Sequence, residues 1–252
     1  MIPFFSFTQI KLFGLTFYVW GFFLSLAFLF GGLLFIFLIK KIKFSEKRIF
    51  QLLLLLLISA IIGSRLGYIF QFFSYYYNNP IEVFYFWRGG LMFYGGLLAA
   101  LTAGFFYLKK FKMDFWKIAD ISVPAVGLGI FIGRIGCFLI KDHPGSITSL
   151  PWGIIWPDGI IRHPVAAYLS LNGFFIFLFF FWLYKKKIFK KGTLFILFLF
   201  WYGASRFFLD FLRANDMDIA DPRYFHLTLS QWIGLALVFM VFIFLIKTKK
   251  KK

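Results

Sequence analysis

The sequence predicts an all-α integral membrane protein, a single domain of seven transmembrane helices over 1–252, and three observations predict it. Apolar residues make up 61% of the 252, and Phe alone accounts for 42. Charged residues are only 15%, against about 25% in an ordinary soluble domain. The apolar residues form long continuous runs, not short alternating strands, which favours helices over a barrel. Such a chain cannot cover a water-facing surface with polar side chains, and its hydrophobicity excludes disorder.

Crossing the ~30 Å hydrocarbon layer takes about 20 apolar residues in a helix. Seven segments qualify: 12–39, 49–74, 91–108, 118–140, 164–184, 193–213 and 227–246. The first is too long for a removable signal peptide and has no basic start before Lys11. Orientation follows from the cations. The connections 40–48, 109–117 and 185–191 and the tail from 247 hold 19 of the 28 Lys and Arg, all on alternate ends of the spans. The N-terminus is therefore placed outside and the C-terminus in the cytoplasm. The net charge of +18 then reflects topology and attraction to anionic lipid heads, so nucleic acid is not expected as a partner. The single cysteine, Cys137, excludes an internal disulfide and a Cys-built metal site.

The outer connections 75–90, 141–163 and 214–226 are richer in kind, carrying Glu82, Asp142, His143, Asp158, Arg162, His163, Asp216, Asp218, Asp221 and His226. They are expected to cap a site. Three cations lie inside apolar runs: Arg65, Arg134 and Arg206. A central Arg costs roughly 2.5–3.5 kcal/mol on insertion scales, so each must face the protein interior, water or a lipid head group. All three fall in the outer half of outward-running spans and could converge on one cavity. The planar donor fork of guanidinium suits phosphate, which points to an anionic phospholipid. The plainer alternative is pairing with carboxylates. Arg206, Asp210 and Arg213 are spaced i, i+4, i+7, so Asp210 is placed to orient both arginines. The glycines at 129, 133 and 136, and the pairs 89–90 and 95–96, read first as close helix packing. The cytoplasmic half of the spans is almost bare of polar groups and no internal repeat is visible, which argues against a transporter of anionic solutes.

Several blocks carry a family resemblance. Gly133-Arg134-Ile135-Gly136-Cys137-Phe138, continued at the same spacing to Gly145, resembles the signature of bacterial prolipoprotein diacylglyceryl transferases, Gly-Arg-x-Gly-Asn-Phe-x-Asn-x-Glu-x-x-Gly. The run Gly89-Gly90-Leu91-Met92-Phe93-Tyr94-Gly95-Gly96-Leu97 is similar to the family's Gly-Gly-x-x-Phe-His-Gly-Gly-Leu block. Gly63-Ser64-Arg65-Leu66-Gly67-Tyr68, Leu150-Pro151-Trp152-Gly153, Arg162-His163-Pro164 and the stretch from Tyr202 to Arg213 follow in family order. The resemblance covers about 13–245.

It implies an enzyme of the bacterial cytoplasmic (inner) membrane that works at the outer leaflet, with no metal or soluble cofactor. Its substrates would be phosphatidylglycerol and a prolipoprotein whose signal peptide presents a lipobox cysteine. The diacylglyceryl group would pass to that thiol, forming a thioether and releasing glycerol phosphate. By motif match, Arg134, Arg65 and Gly145 belong to the phospholipid site. Arg206, Tyr94, Asp142 and His143 are the catalytic candidates, and His163, Asp210 and Arg213 support them. The chain departs from the pattern at Tyr94 (family His), Phe13 (family Tyr), Cys137 and Ile140 (both Asn) and Asp142 (Glu). A phenol is a poor base at neutral pH, which makes His143 the other candidate for that role. The departures leave a non-catalytic lipid-binding relative as the alternative.

Overall fold

A computed structural model describes residues 1–12, 15–40, 44–85, 89–186, 189–217 and 220–249. Phe13, Gly14, Lys41, Lys43, Arg88, Lys187, Asp218 and the last three lysines, all weighed above, lie outside the described residues. The described chain is largely helical: α1 (Val19–Ile39), α2 (Glu46–Gln71), α3 (Phe73–Asn78), α4 (Phe93–Lys110), α5 (Phe115–Ile140), α6 (Val165–Lys186), α7 (Thr193–Leu209) and α8 (Leu229–Lys249). Six of these segments are long and apolar enough to cross a membrane: α1, α2, α5, α6, α7 extended to Leu212, and α8. Many of their large apolar side chains point outward, Phe239 being 67% exposed. With no polar surface to shield them, these helices fit a multi-pass membrane protein.

Several boundaries differ from expectation. The span read from residue 12 starts as a helix only at Val19, because β1 (Gln9–Leu12) and β2 (Leu15–Tyr18) pair as an antiparallel hairpin before it. The span read to residue 74 breaks at Phe72, after which α3 and a 3₁₀ turn at Pro80–Phe84 occupy much of the 75–90 connection. Helix α4, read as a span over 91–108, has 18 residues, or about 27 Å, and ends on Lys109 and Lys110. It is not among the six.

The chain forms two compact units, one of residues 1–35 with 119–252, the other of 36–118. In the smaller unit α2 and α4 meet backbone to backbone. A Cβ at Gly63 would lie 2.6 Å from the Gly95 carbonyl oxygen, and one at Gly95 would lie 2.5 Å from that of Gly63. No larger residue fits either position.

The larger unit uses the same device repeatedly. A Cβ at Gly203 would lie 2.8 Å from the Gly234 oxygen, joining α7 to α8. Gly127 and Gly173 meet Phe177 N and Phe131 N at 2.7 and 2.6 Å, joining α5 to α6. Gly136 meets the Phe23 side chain of α1 at 2.7 Å, whereas Gly129 and Gly133 have ordinary clearance. Around these crossings Val123, Ile176, Phe180, Leu183, Leu194 and Phe198 form a buried apolar core. A polar seam joins α6 to α7: Asn172 Nδ2 donates to Ser205 Oγ at 3.0 Å, and Trp201 Nε1 donates to Asn172 Oδ1 at 3.0 Å.

Asp120 ties α5 to the start of α7. Its carboxylate accepts from Gly192 N at 2.6 Å and Phe195 N at 2.9 Å, meeting the unpaired amides and positive dipole end of that helix. Asp120→Ala is expected to lower stability by about 1–2 kcal/mol, read as a reduced thermal midpoint in detergent. An unchanged midpoint would show that the cap contributes nothing.

Candidate active site

The C-terminal end of α5 begins the site. Arg134 lies one turn before Cys137, and its Nη1 is 4.0 Å from the Cys137 sulfur. Among the described residues no carboxylate forms an ion pair with Arg134. After Ile140 the chain turns through two left-handed residues, Lys141 (φ 57°) and His143 (φ 59°), which redirect it across the ends of the other helices. The strip 144–148 is then fixed on both sides by backbone hydrogen bonds. Ser146 N donates to Leu212 O at 2.8 Å and Ala214 N to Pro144 O at 2.9 Å on one side. His163 N donates to Ser146 O at 3.0 Å and Thr148 N to Ile161 O at 2.9 Å on the other. Gly145 sits at the junction. A Cβ there would lie 2.1 Å from the His163 carbonyl oxygen, so this glycine is needed for backbone approach.

Asp210, 0% exposed, is the centre of the charged cluster. Its Oδ1 is 3.0 Å from Arg206 Nη1 and 3.1 Å from Arg213 Nε, and its Oδ2 accepts from Thr228 Oγ1 at 2.9 Å. The contact to both arginines survives although α7 gives way to a 3₁₀ turn at Asp210–Leu212. Arg206 Nη2 also donates to Ser230 Oγ at 2.9 Å. Arg134 and Arg213 both lie within electrostatic reach of Arg206. Two guanidinium groups thus share one buried carboxylate, with a third, Arg134, nearby and without an ion pair among the described residues. Arg213 Nη2 is buried with no hydrogen-bond partner among the described residues.

From Arg213 the cluster continues outward. Its Nη1 donates to Asp221 Oδ2 and lies 3.4 Å from His143 Nδ1. Both ring nitrogens of His143 face carboxylates: Nδ1 is 3.3 Å from Asp221 and Nε2 is 3.3 Å from Asp142. Both ring nitrogens are therefore occupied by partners within the cluster. Burial works against the Asp221 anion, but hydrogen bonding from His143 and the charge of Arg213 outweigh it and hold the carboxyl well below the usual range. Arg162, 1% exposed, makes a bidentate pair with Asp216 at 2.9 Å for each bond. This pair pins β4 (Ile161–Arg162), which pairs with β3 (Ile154–Ile155), to the 214–226 connection. Its hydrogen bonds raise Arg162 and lower Asp216 from their ordinary values. Burial pushes His163 below its ordinary range, and its Nδ1 is 3.2 Å from Tyr168 Oη, which accepts from Trp152 Nε1 at 2.8 Å.

The larger unit therefore holds Arg134, Asp142, His143, Gly145, His163, Arg206, Asp210 and Arg213. Arg65 and Tyr94 belong to the smaller one. Arg65 has a different set of partners from the phosphate expected of it. Its Nε donates to Val83 O at 3.0 Å, Nη1 to Gly89 O at 2.8 Å and Gly90 O at 3.1 Å, and Nη2 to Glu82 O. The Tyr76 ring lies under it at 5.2 Å. The left-handed Gly89 and Gly90 (φ 95° and 75°) turn those carbonyls toward it. Tyr94 stands in the first turn of α4, its ring 5.5 Å from that of Phe93. Sequence reasoning placed Asp221 and Asp216 in a capping connection without assigning them partners, and missed Gln231. Gln231 is fully buried and forms a reciprocal cap with Thr228, Thr228 N donating to Gln231 Oε1 at 2.9 Å and Gln231 N to Thr228 Oγ1 at 3.2 Å. The spacing Thr-x-x-Gln before an apolar run was its available signal.

The depressed carboxyl of Asp221 gives a pH prediction with a definite sign. Its contribution to stability is full above the unfolded carboxylate value of about 4 and is lost as pH falls through the lower folded value. Asp221→Asn is expected to cost about 1–2 kcal/mol at pH 7, with the gap to wild type closing in strong acid. Equal thermal midpoints at pH 7 would contradict it.

The profile of the prolipoprotein diacylglyceryl transferase family matches residues 8–247. The phosphatidylglycerol–prolipoprotein diacylglyceryl transferase of Finegoldia magna is 34% identical over 241 residues, 96% of this chain and 95% of that one. The protein of the same name from Ehrlichia canis is 33% identical over 235 residues, covering 88% and 89% of the two chains. That of Geobacter sulfurreducens is 38% identical over 168 residues, 65% and 64% of them. With a match this long, the chain belongs to the prolipoprotein diacylglyceryl transferase family.

Proposed function

We propose that the protein transfers the diacylglyceryl group of phosphatidylglycerol to the lipobox cysteine thiol of prolipoproteins at the outer leaflet of the bacterial inner membrane. A thioether forms and glycerol phosphate leaves. Family membership supports the activity, and one observation supports the assignment of the site: Arg134 and Arg206 lie close together with less negative charge than they need. A phosphodiester monoanion between them supplies what is missing. The two guanidinium groups hold the lipid phosphate and stabilise the charge that grows on the leaving oxygen as the sulfur attacks the glyceryl carbon. Asp210 fixes the direction of Arg206 and Arg213. His163 and the Arg162–Asp216 pair hold the loops around them. Arg65 acts as a pin for the 75–90 connection through its carbonyl partners.

The membrane arrangement is part of the same reading. Helix α4 is the seventh span, and the lysine-rich connections lie in the cytoplasm, which puts the N-terminus and the 141–163 and 214–226 connections outside. Both substrates are membrane-bound, so each approaches from the lipid.

The test mixes purified protein with phosphatidylglycerol and a fluorescent lipobox peptide and detects the thioether-linked lipopeptide by mass spectrometry. Wild type is expected to form it, and Arg134→Ala to lose about 100-fold or more of the rate. Tyr94→Phe is expected to stay within about 10-fold of wild type, because a phenol is a weak proton acceptor at neutral pH. A folded wild type that binds the lipid and forms no product would make the protein a binding relative instead.

A further inference from the structure

Lys141 differs from the arginines around it. It is 9% exposed, and its Nζ is buried with no hydrogen-bond partner among the described residues. It lies 3.4 Å from the ring centre of Phe5 and 4.0 Å from that of Phe138. Aromatic faces attract an ammonium, but they accept none of its three protons in the way an oxygen would. Burial lowers the ammonium from the ordinary lysine range to about 8.

The surroundings give this nitrogen a place in the chemistry. Lys141 lines a cavity of about 20 Å³ with Cys137, Asp142, His143 and His163. Cys137 in that lining is the residue whose sulfur lies 4.0 Å from Arg134 Nη1. Arg134 and Cys137 lie one turn apart on α5, and Lys141 follows at the left-handed residue just past its end. The other titratable groups facing the cavity are already engaged. His143 is held between Asp142 and Asp221, Asp142 is held by His143, and His163 Nδ1 contacts Tyr168. The N-terminal segment brings no titratable side chain here. It contributes Phe5, held in place by Phe7 N donating to Leu139 O at 2.9 Å and Ser6 Oγ to Ile140 O at 3.2 Å.

We propose that the Lys141 amine is the base that takes the proton from the substrate thiol, an assignment that rests on the transferase reading above. The neutral amine accepts the S–H proton and becomes an ammonium. The thiolate sulfur attacks the glyceryl carbon, so that the C–S bond forms while the C–O bond to phosphate breaks. The electron pair of that bond leaves on the phosphate oxygen of glycerol phosphate, which then takes the proton from the ammonium and restores the amine. A cysteine thiol ordinarily titrates near 8.5, so donor and acceptor are closely matched and the transfer is nearly thermoneutral. The cavity has room for about one water molecule. An entering sulfur atom would take that space.

The experiment measures kcat against pH from 6 to 10 in phosphatidylglycerol nanodiscs with the lipobox peptide, for the full-length wild type, Lys141→Arg and Lys141→Met. Arginine keeps a cation between the rings but holds its proton throughout this range. Wild-type kcat is expected to rise to a plateau through a limb near pH 8. Lys141→Arg is expected to keep the wild-type thermal midpoint and KM for the lipid, lose about 100-fold or more in kcat, and lose the limb. Either variant matching wild-type kcat and its limb would overturn the assignment and leave the transferase reading standing. A wild-type profile flat between pH 7 and 9 would overturn it without reference to any variant. A wild type that forms no lipopeptide at any pH would overturn the transferase reading and this assignment with it.

Discussion

Burial of the Asp210 carboxylate is the constraint on which the charged end of the larger unit depends. An ionised carboxylate with no exposure is tolerated only when paired and hydrogen-bonded. Asp210 satisfies this with Arg206, Arg213 and Thr228, and these partners come from the end of α7, the turn beyond it and the start of α8. Arg213 carries the order on to Asp221 and His143, and through them to the strip after α5. Removing Asp210 would leave two guanidinium groups facing each other. On the proposed reading the same shortage of negative charge draws the lipid phosphate to the cluster, so fold stability and phosphate binding would draw on one set of contacts.

Much of this was legible in the sequence where the signal was local. The face shared by Arg206, Asp210 and Arg213 needs only helical spacing, and the long apolar runs mark the spanning helices because nothing polar interrupts them. The start of α1 was misplaced because Leu15–Tyr18 carries no charge to set it off from the helix that follows and its pairing with Gln9–Leu12 is a hairpin property. The break at Phe72 has no proline or glycine to announce it. Arg65 was correctly read as needing partners, but those partners are main-chain carbonyls of a loop shaped by Gly89 and Gly90. Composition cannot show a carbonyl's direction. His143 and Asp221 meet across 78 residues, beyond any spacing rule.

Gly145 shows how a motif residue can be read at two levels. Sequence spacing places it at the end of a family signature, which suggests a cavity that a side chain would block. The geometry gives a more direct reason: the backbone of 145 runs against the His163 carbonyl, with no room for a methyl group. The glycine keeps the strip 144–148 between two neighbours, and that strip carries the chain on from the left-handed turn holding Lys141 and His143. Its importance to a site would therefore act through loop position.

The cations can be separated by how completely their donors are used. Arg65 spends Nε and both terminal nitrogens on four carbonyls, and Arg162 spends both terminal nitrogens on a bidentate carboxylate, Gly145 O and Asp158, leaving only its Nε without a partner among the described residues. Both hold loops, and a ligand would have to displace strong bonds to reach them. Arg213 and Arg206 share Asp210 and retain part of their donor capacity. Arg134 and Lys141 have no carboxylate among the described residues, although each is at least partly buried, one near the C-terminal end of α5 and the other just past it. Leaving a cation this poorly compensated costs free energy in the resting protein. A ligand with a negative charge, or a proton passing to and from an amine, gives that cost a function. Donor use therefore distinguishes loop pins from the groups that meet the substrate, where the count of arginines in apolar runs put Arg65 and Arg134 together.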